Sequence, residues 1–231
     1  MAKRVKRKNA PISRDEALRA IYLDFEGRGK SPRGEAPPPV LGGTLVEGAY
    51  VDTVVSKELV HAAEGRERAF VPLDDYLDGL IERARGESRR IVYWTSHEAE
   101  LFEEHGYPPG DVGFDLRLLV KPELPALFKR YKEASREFRS GETKTARARA
   151  KRYAFGLCVQ CAEHHGFERP GSYGHGLVGK WIRSATKQAH TKKGYAEWPT
   201  GAKGAWSRLV KHNEADCRAM AYLMNVYVPP R

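Results

Sequence analysis

Two carboxylates lie one residue apart in an otherwise apolar stretch of the chain. The segment AIYLDFEG, residues 20–27, carries Asp24 and Glu26. Its alternation predicts a strand whose successive side chains point to opposite faces, so both acids fall on one face. Such neighbours repel unless they are solvated or share a cation, and carboxylate oxygens are the ligands that Mg²⁺ and Mn²⁺ prefer. The pattern predicts either a cation site or an exposed polar sheet face.

A third candidate acid, Glu98, follows a second apolar run. The segment IVYWTSHEAELF predicts a buried strand that ends at Trp94 and a helix that Thr95 or Ser96 caps. Glu98 then lies in the first turn of that helix, where an acid also interacts favourably with the helix dipole. The residue is therefore a candidate ligand or a structural partner of the helix.

The last pair of polar residues lies in the closing helix, within HNEADCRAM. His212 and Asp216 are four residues apart, so on a helix they share one face. Asp216 lies beside the apolar stripe of this helix, and an Asp at a core boundary needs a charge partner or a metal. The alternative is an ion pair on the helix face with Lys211 or Arg218.

A different metal site is conceivable in the segment CVQCAEHH. Cys158 and Cys161 have the Cys-x2-Cys spacing of zinc ligands, and His164 and His165 follow. One helix would carry all four, whereas a closed tetrahedral site needs ligands from several directions. Two Cys on an apolar helix face usually pack in a core, so we favour packing.

Together these segments resemble the three motifs of the DEDD exonuclease superfamily, which has a ribonuclease H-like fold and includes proofreading 3′–5′ exonucleases. IYLDFEG resembles the first motif, and YWTSHEAELF the second, with Glu98 where most members have Asp. HNEADCRAM resembles the third motif in the Tyr-Asn-Glu-x-Asp form of a less-characterised RNase H-like branch, with His212 in the place of Tyr. GFDLRLLV and YGHGLVGKWIRSA resemble connecting segments of that branch, so the resemblance spans about residues 18–228.

The resemblance implies a metal-dependent nuclease that hydrolyses phosphodiester bonds of DNA or RNA, as a 3′–5′ exonuclease. Asp24, Glu26, Glu98 and Asp216 would hold two Mg²⁺ or Mn²⁺ ions. His212 would position or deprotonate the attacking water. The alternative is a catalytically weak RNase H-like module that binds nucleic acid within a larger complex, with a partner such as a helicase.

The order of predicted elements indicates the fold class. A first strand and a hairpin that turns at Glu47-Gly48 precede alternating helices and strands, and the chain after Phe114 is helical, with one helix expected over residues 143–166. We expect an α/β fold with an RNase H-like mixed sheet, antiparallel strands first and parallel strands next, flanked by helices. Residues 1–13 are expected to form a disordered basic tail. Residues 14–231 are expected to form one domain with a basic helical insertion at about 124–166.

The net charge of +10 comes from two segments of the chain. Residues 1–9 hold five Lys/Arg and no acid, and residues 129–152 hold ten Lys/Arg against three Glu. Clustered positive charge favours a polyanionic partner, nucleic acid first, although a solvated tail and a solubilising helix would look the same. The candidate phosphate-binding residues are Lys144, Arg147, Arg149, Lys151, Arg152, Lys187, Lys192, Lys193 and Lys203.

The remaining composition bears on location and on base stacking. No run of eighteen apolar residues exists, so we expect no membrane span. Three cysteines, an odd count without a secretory signal, favour a reducing cytoplasmic setting. Tyr22, Trp94 and Trp181 could stack on bases, but aromatic residues in such segments are more often core.

Overall fold

A five-stranded mixed sheet forms the centre of the molecule. The structure, a computed structural model, describes residues 9–28, 37–65, 70–106, 110, 112–141, 143–171, 173–174, 176–191 and 194–229. The strands are β1 (Ile21–Gly27), β2 (Pro39–Val46), β3 (Ala49–Val54), β4 (Ile91–Tyr93) and β5 (Gly113–Asp115), in the order β3-β2-β1-β4-β5. β1 pairs antiparallel with β2 and parallel with β4. The predicted α/β class and the change from antiparallel to parallel pairing are confirmed.

Helices cover both faces of this sheet. They are α1 (Arg14–Leu18), α2 (Val60–Glu64), α3 (Leu73–Gly86), α4 (Ser96–Glu104), α5 (Leu116–Val120), α6 (Pro125–Ser140), α7 (Lys144–Ala154), α8 (Leu157–His164), α9 (Val178–Thr191) and α10 (Thr200–Tyr227). Short 3₁₀ helices occupy Lys57–Leu59 and Tyr195–Glu197. Across the described residues, no helix combines the length and the apolar content that crossing a membrane requires.

The alternation of β1 divides the core into two layers, as predicted. Ile21, Leu23 and Phe25 pack with α3 and α4 on one face of the sheet. Tyr22 lies on the opposite face, in the core that α8 and the second half of α10 share. Because strand side chains alternate, Asp24 and Glu26 project toward the α10 side.

Two local predictions are wrong. The segment 143–166, predicted as one helix, is divided into α7 and α8 at Phe155 and Gly156. Gly156 has the left-handed backbone angles φ 65° and ψ 45°, which end a helix and suit glycine. The strand β5 was not predicted, because its three residues are too few to show a period.

The structure describes part of the segment predicted as a tail and most of the segment predicted as an insertion. Residues 1–8 are outside the described part of the chain, whereas Asn9 bonds the backbone of Asp115 through both its amide oxygen and its amide nitrogen. The hairpin turn at Glu47-Gly48 is confirmed, with positive φ at both residues. Helices α6, α7 and α8 occupy the segment predicted as the basic insertion.

We predict that Gly156→Ala destabilises the protein by about 1–2 kcal/mol, the usual cost of a left-handed backbone for a residue with a Cβ. A Cβ there would also lie 2.5 Å from the Tyr173 hydroxyl. Urea unfolding measures the change. Gly79→Ala is the matched control, because this exposed glycine of α3 has open space around it. Its replacement should stabilise the helix by about 0.5–1 kcal/mol. Equal effects of the two changes would contradict the strain argument.

Candidate functional site

The strand β1 and the helix α10 bring three of the predicted residues into direct proximity. His212 Nε2 lies 3.4 Å from Asp216 Oδ2 and 3.9 Å from Glu26 Oε1. Glu26 and His212 are both 7% exposed. The i, i+4 spacing places His212 and Asp216 on the face of α10 that meets the sheet, as the sequence predicted. Arg218, one of the predicted alternative partners of Asp216, bonds Glu214 instead.

Asp24 is fixed in this cluster by an asparagine that the sequence analysis did not single out. Asn213 donates its amide to the Asp24 backbone oxygen at 3.0 Å and to Asp24 Oδ2 at 2.7 Å. Tyr50 donates its hydroxyl to Asn213 Oδ1 at 2.7 Å. Asn213 reaches the strand because Gly43 has no side chain, and a Cβ there would lie 1.6 Å from the asparagine oxygen. The glycine pair inside β2 was the available signal, since glycine within a strand often marks a close approach.

Glu98 lies at the start of α4, where Thr95 caps the helix as predicted. The backbone N–H of Thr95 donates to Glu98 Oε2 at 3.0 Å, and the Thr95 hydroxyl donates to the same oxygen. The acid is buried, at 3% exposure. The capping function is therefore real. The charge of Glu98 also acts on the acids of β1, because it raises the pKa of Asp24 and of Glu26.

Tyr173 completes the site from a loop that gave no periodic signal. Its hydroxyl donates to Asp216 Oδ1 at 3.1 Å. Its ring stacks on His212, with centroids 4.0 Å apart and an angle of 23° between the planes. The edge of the Trp181 ring meets His212 from α9. The imidazole is thus held between two aromatic rings, so its orientation is determined by packing.

Burial and mutual repulsion make these acids hard to ionise. Burial raises the pKa of Asp24 well above its usual value, and Glu26, Asp216 and Glu98 raise it further. Burial, then Asp216 and Glu98, likewise raise the pKa of Glu26. Burial also raises the pKa of Asp216 to about 7. The cluster is therefore a concentration of negative charge that a cation would stabilise.

The donor atoms have the composition of a cation site. One ligand atom each from Glu26, His212 and Asp216 lies within 4.8 Å of the others. The buried Glu26 Oε1 has no hydrogen-bond partner among the described residues. A buried carboxylate oxygen without a partner is costly. Hard oxygen ligands of this type could hold Mg²⁺ or Mn²⁺.

Asp24 and Asp216 open onto a pocket of about 210 Å³. Its lining consists of Asp24, Trp94, Thr95, Arg117, Tyr131, Gly156, Leu157, Cys158, Asp216 and Met220. A larger groove of about 590 Å³ lies between residues 9–12 and the end of α10. Its lining is mostly apolar and includes none of the predicted site residues, two of which line the smaller pocket.

Most of the predicted phosphate-binding residues lie on helices α7, α9 and α10. α7 carries Lys144, Arg147, Arg149, Lys151 and Arg152, and it packs on α6, which contributes Tyr131 to the pocket wall. Lys187 is exposed on α9, the helix that contacts His212 through Trp181. Lys192 and Lys193 lie outside the described residues. Lys203 donates to the backbone oxygen of Ala196.

The cysteines considered as zinc ligands and the aromatic residues considered for base stacking are packed in the core. Cys158 and Cys161 are buried in the core of α8, and burial raises the pKa of Cys161 to about 12, so its sulfur is a thiol at neutral pH. His165 pairs with the Tyr227 hydroxyl. Tyr22, Trp94 and Trp181 are each at most 7% exposed. Of these three aromatic residues, Trp94 lines the pocket.

No family model, no curated protein and no solved structure matches this chain.

We predict that the metal-free protein loses stability as the pH rises from about 4 to about 7. The raised pKa of Asp216 means that the folded state binds a proton that the unfolded state has released, so the stability gained at low pH is lost through this range. The slope for one group is at most about 1.4 kcal/mol per pH unit. Asp216→Asn should remove part of this slope.

Urea unfolding in EDTA at pH 5 and pH 7.5 measures the effect. Asp78→Asn, at a half-buried position of α3, is the control and should keep the wild-type slope. If Asp216→Asn has the wild-type pH dependence, the pKa of Asp216 is not raised in the folded protein.

Proposed function

We propose that this protein is a divalent-metal-dependent nuclease that hydrolyses phosphodiester bonds of DNA or RNA as a 3′–5′ exonuclease. One observation carries the proposal. Asp24 and Glu26 on β1, Glu98 on α4, and His212 and Asp216 on α10 interact with one another although they lie far apart in the chain, and Asp24 and Asp216 line the pocket. Buried acids from three elements have no structural need to meet, whereas a two-metal site requires it.

The strand order supports the fold that the sequence resemblance implies. The order β3-β2-β1-β4-β5, with three antiparallel strands followed by parallel ones, is consistent with a ribonuclease H-like sheet. The first acids lie on the central strand β1, and Glu98 follows the neighbouring parallel strand β4. This arrangement agrees with a member of the DEDD exonuclease superfamily in which Glu98 replaces the usual Asp.

The ligands of the proposed ions are Asp24, Glu26, Glu98 and Asp216. Glu26 Oε1, which has no hydrogen-bond partner among the described residues, and the raised pKa values of the acids support this assignment. Divalent cations in such a site lower the pKa of a water molecule and offset negative charge on the leaving oxygen.

The remaining residues would position the reacting groups. His212 accepts the proton of the attacking water at Nε2, the ring nitrogen that faces Asp216 and Glu26. Tyr173 keeps both the His212 ring and the Asp216 carboxylate in place. Asn213 holds Asp24. The basic helices bind the phosphates of the strand, a contact that gives affinity with little sequence information.

We predict that Asp24→Asn lowers nuclease activity by at least about 100-fold, since changes to outer-shell partners of metal ligands already cost 10- to 100-fold. The assay uses end-labelled single-stranded DNA and RNA with Mg²⁺ or Mn²⁺, and its product ladder reports the polarity. Asp78→Asn should retain wild-type activity. Degradation that persists in EDTA, or that Asp24→Asn leaves intact, would refute the proposed function.

The second candidate is a catalytically weak RNase H-like module that binds nucleic acid within a larger complex. The observation that favours it is the double hydrogen bond that Glu98 Oε2 accepts from Thr95, which employs this oxygen as a helix cap. Binding to single-stranded nucleic acid without cleavage in any metal would favour this candidate. A helicase is one partner that the family resemblance suggests.

Both candidates predict that α7 contacts phosphates. We expect the double change Lys144→Gln and Lys151→Gln to reduce the slope of log binding constant against log salt by about 1.4, since each phosphate contact to a single strand contributes about 0.7. The double change Arg83→Gln and Arg85→Gln on the exposed side of α3 is the matched control and should leave the slope unchanged. Fluorescence anisotropy at several salt concentrations measures both. Equal slopes for all proteins would exclude α7 from the interface.

A further inference from the structure

One cationic side chain lies in the acidic pocket. Arg117 lines the pocket together with Asp24 and Asp216, and it is the only Lys or Arg in the lining that the structure describes. It belongs to α5, which begins directly after β5. Because β1, β4 and β5 run parallel, their carboxyl ends meet at one edge of the sheet, the edge where ligands bind in open α/β folds.

The position of Arg117 is set by a buried acid outside the pocket. Asp115 is 2% exposed and caps α5 by accepting the backbone N–H of Arg117 at 3.0 Å. Its other oxygen lies 3.7 Å from Arg117 Nη2. The guanidinium is therefore oriented by Asp115, while its side chain remains 34% exposed. Arginine carries five donors in a planar fork that matches the oxygens of a phosphate.

An aromatic and apolar wall completes the pocket. Tyr131 from α6 is half-buried and lines it, as do Leu157 and Met220. Trp94 also lines it, and its ring packs on Phe128 at 6.2 Å between centroids. Aromatic faces of this kind support stacked bases in single-strand binding proteins. The pocket thus combines an anion-binding group, an aromatic wall and the acids.

The size of the pocket limits what can enter it. Its volume of about 210 Å³ is below the ~300 Å³ at the lower end of pockets for drug-sized ligands. A pocket of this size favours a ligand no larger than one nucleotide, and residues of α5, α6 and the start of α8 contribute to its wall.

We propose that Arg117 and Tyr131 form the binding site for the terminal residue of a single strand, with Arg117 on its phosphate and Tyr131 against its base. The inference rests on the proposed nuclease function and assigns substrate-binding residues to it. Arg117 is a binding residue, and the acids remain the groups that act on the scissile bond.

The binding test uses a nucleoside 5′-monophosphate, the parent nucleoside and a labelled single-stranded oligonucleotide. Ca²⁺, a hard cation with flexible coordination, replaces Mg²⁺, and the absence of cleavage is checked in the same samples. Arg117→Gln should weaken monophosphate binding by about 10-fold or more, the usual range for a charge-assisted hydrogen bond, and should leave nucleoside binding unchanged. Tyr131→Leu should weaken both. Arg83→Gln on α3 is the charge-matched control and should bind as wild type.

A kinetic readout separates binding from structural damage. Arg117→Gln should raise KM for single strands with little change in kcat, and Arg117→Lys should give an intermediate KM because it keeps the charge and loses the fork. Thermal unfolding verifies that each variant is folded. Wild-type monophosphate binding by a folded Arg117→Gln protein, or no binding of the monophosphate to the wild type, would overturn the inference. Failure of cleavage alone, with the binding pattern intact, would refute the nuclease function and leave the pocket assignment standing.

Discussion

The repulsion among buried carboxylates is the constraint around which this structure is organised. Asp24, Glu26, Glu98 and Asp216 act on one another electrostatically, and burial removes the water that would screen them. An isolated buried acid avoids the free-energy cost of a buried charge by binding a proton, and the pKa values of these acids are raised accordingly. The scaffold nevertheless keeps the acids together. Such a cost persists only where the surrounding structure determines the positions firmly, which is characteristic of functional sites.

The helix α10 does most to hold these residues in position. Its 28 residues cross the sheet face, and the same turns supply His212, Asn213 and Asp216. Asn213 ties the helix to β1 by bonding both the backbone and the carboxylate of Asp24. This close approach depends on Gly43 in the neighbouring strand. The site therefore depends on one helix being held at a fixed distance from the sheet, and packing in the core fixes that distance.

Regular elements were predictable from the sequence, whereas irregular ones were not. Strand alternation placed Asp24 and Glu26 on one face, and helical spacing placed His212 beside Asp216, because both rules depend only on local geometry. Tyr173 lies in a loop without a period, so no local rule connects it with Asp216. Arg117 follows a strand of three residues, and its place in the pocket depends on how β5 aligns with β4. Such contacts arise from tertiary packing alone.

The separation of acids and bases in this strongly basic chain is part of the same design. A Lys or Arg paired with these acids would neutralise them. The nearby bases pair with other carboxylates, since Arg117, which lines the pocket, lies against Asp115, and Arg218 bonds Glu214. The pocket therefore keeps its negative charge although the whole chain carries +10. In the proposed nuclease, the basic helices would attract a polyanion that the acids repel, so binding at the pocket would require a cation between acid and phosphate.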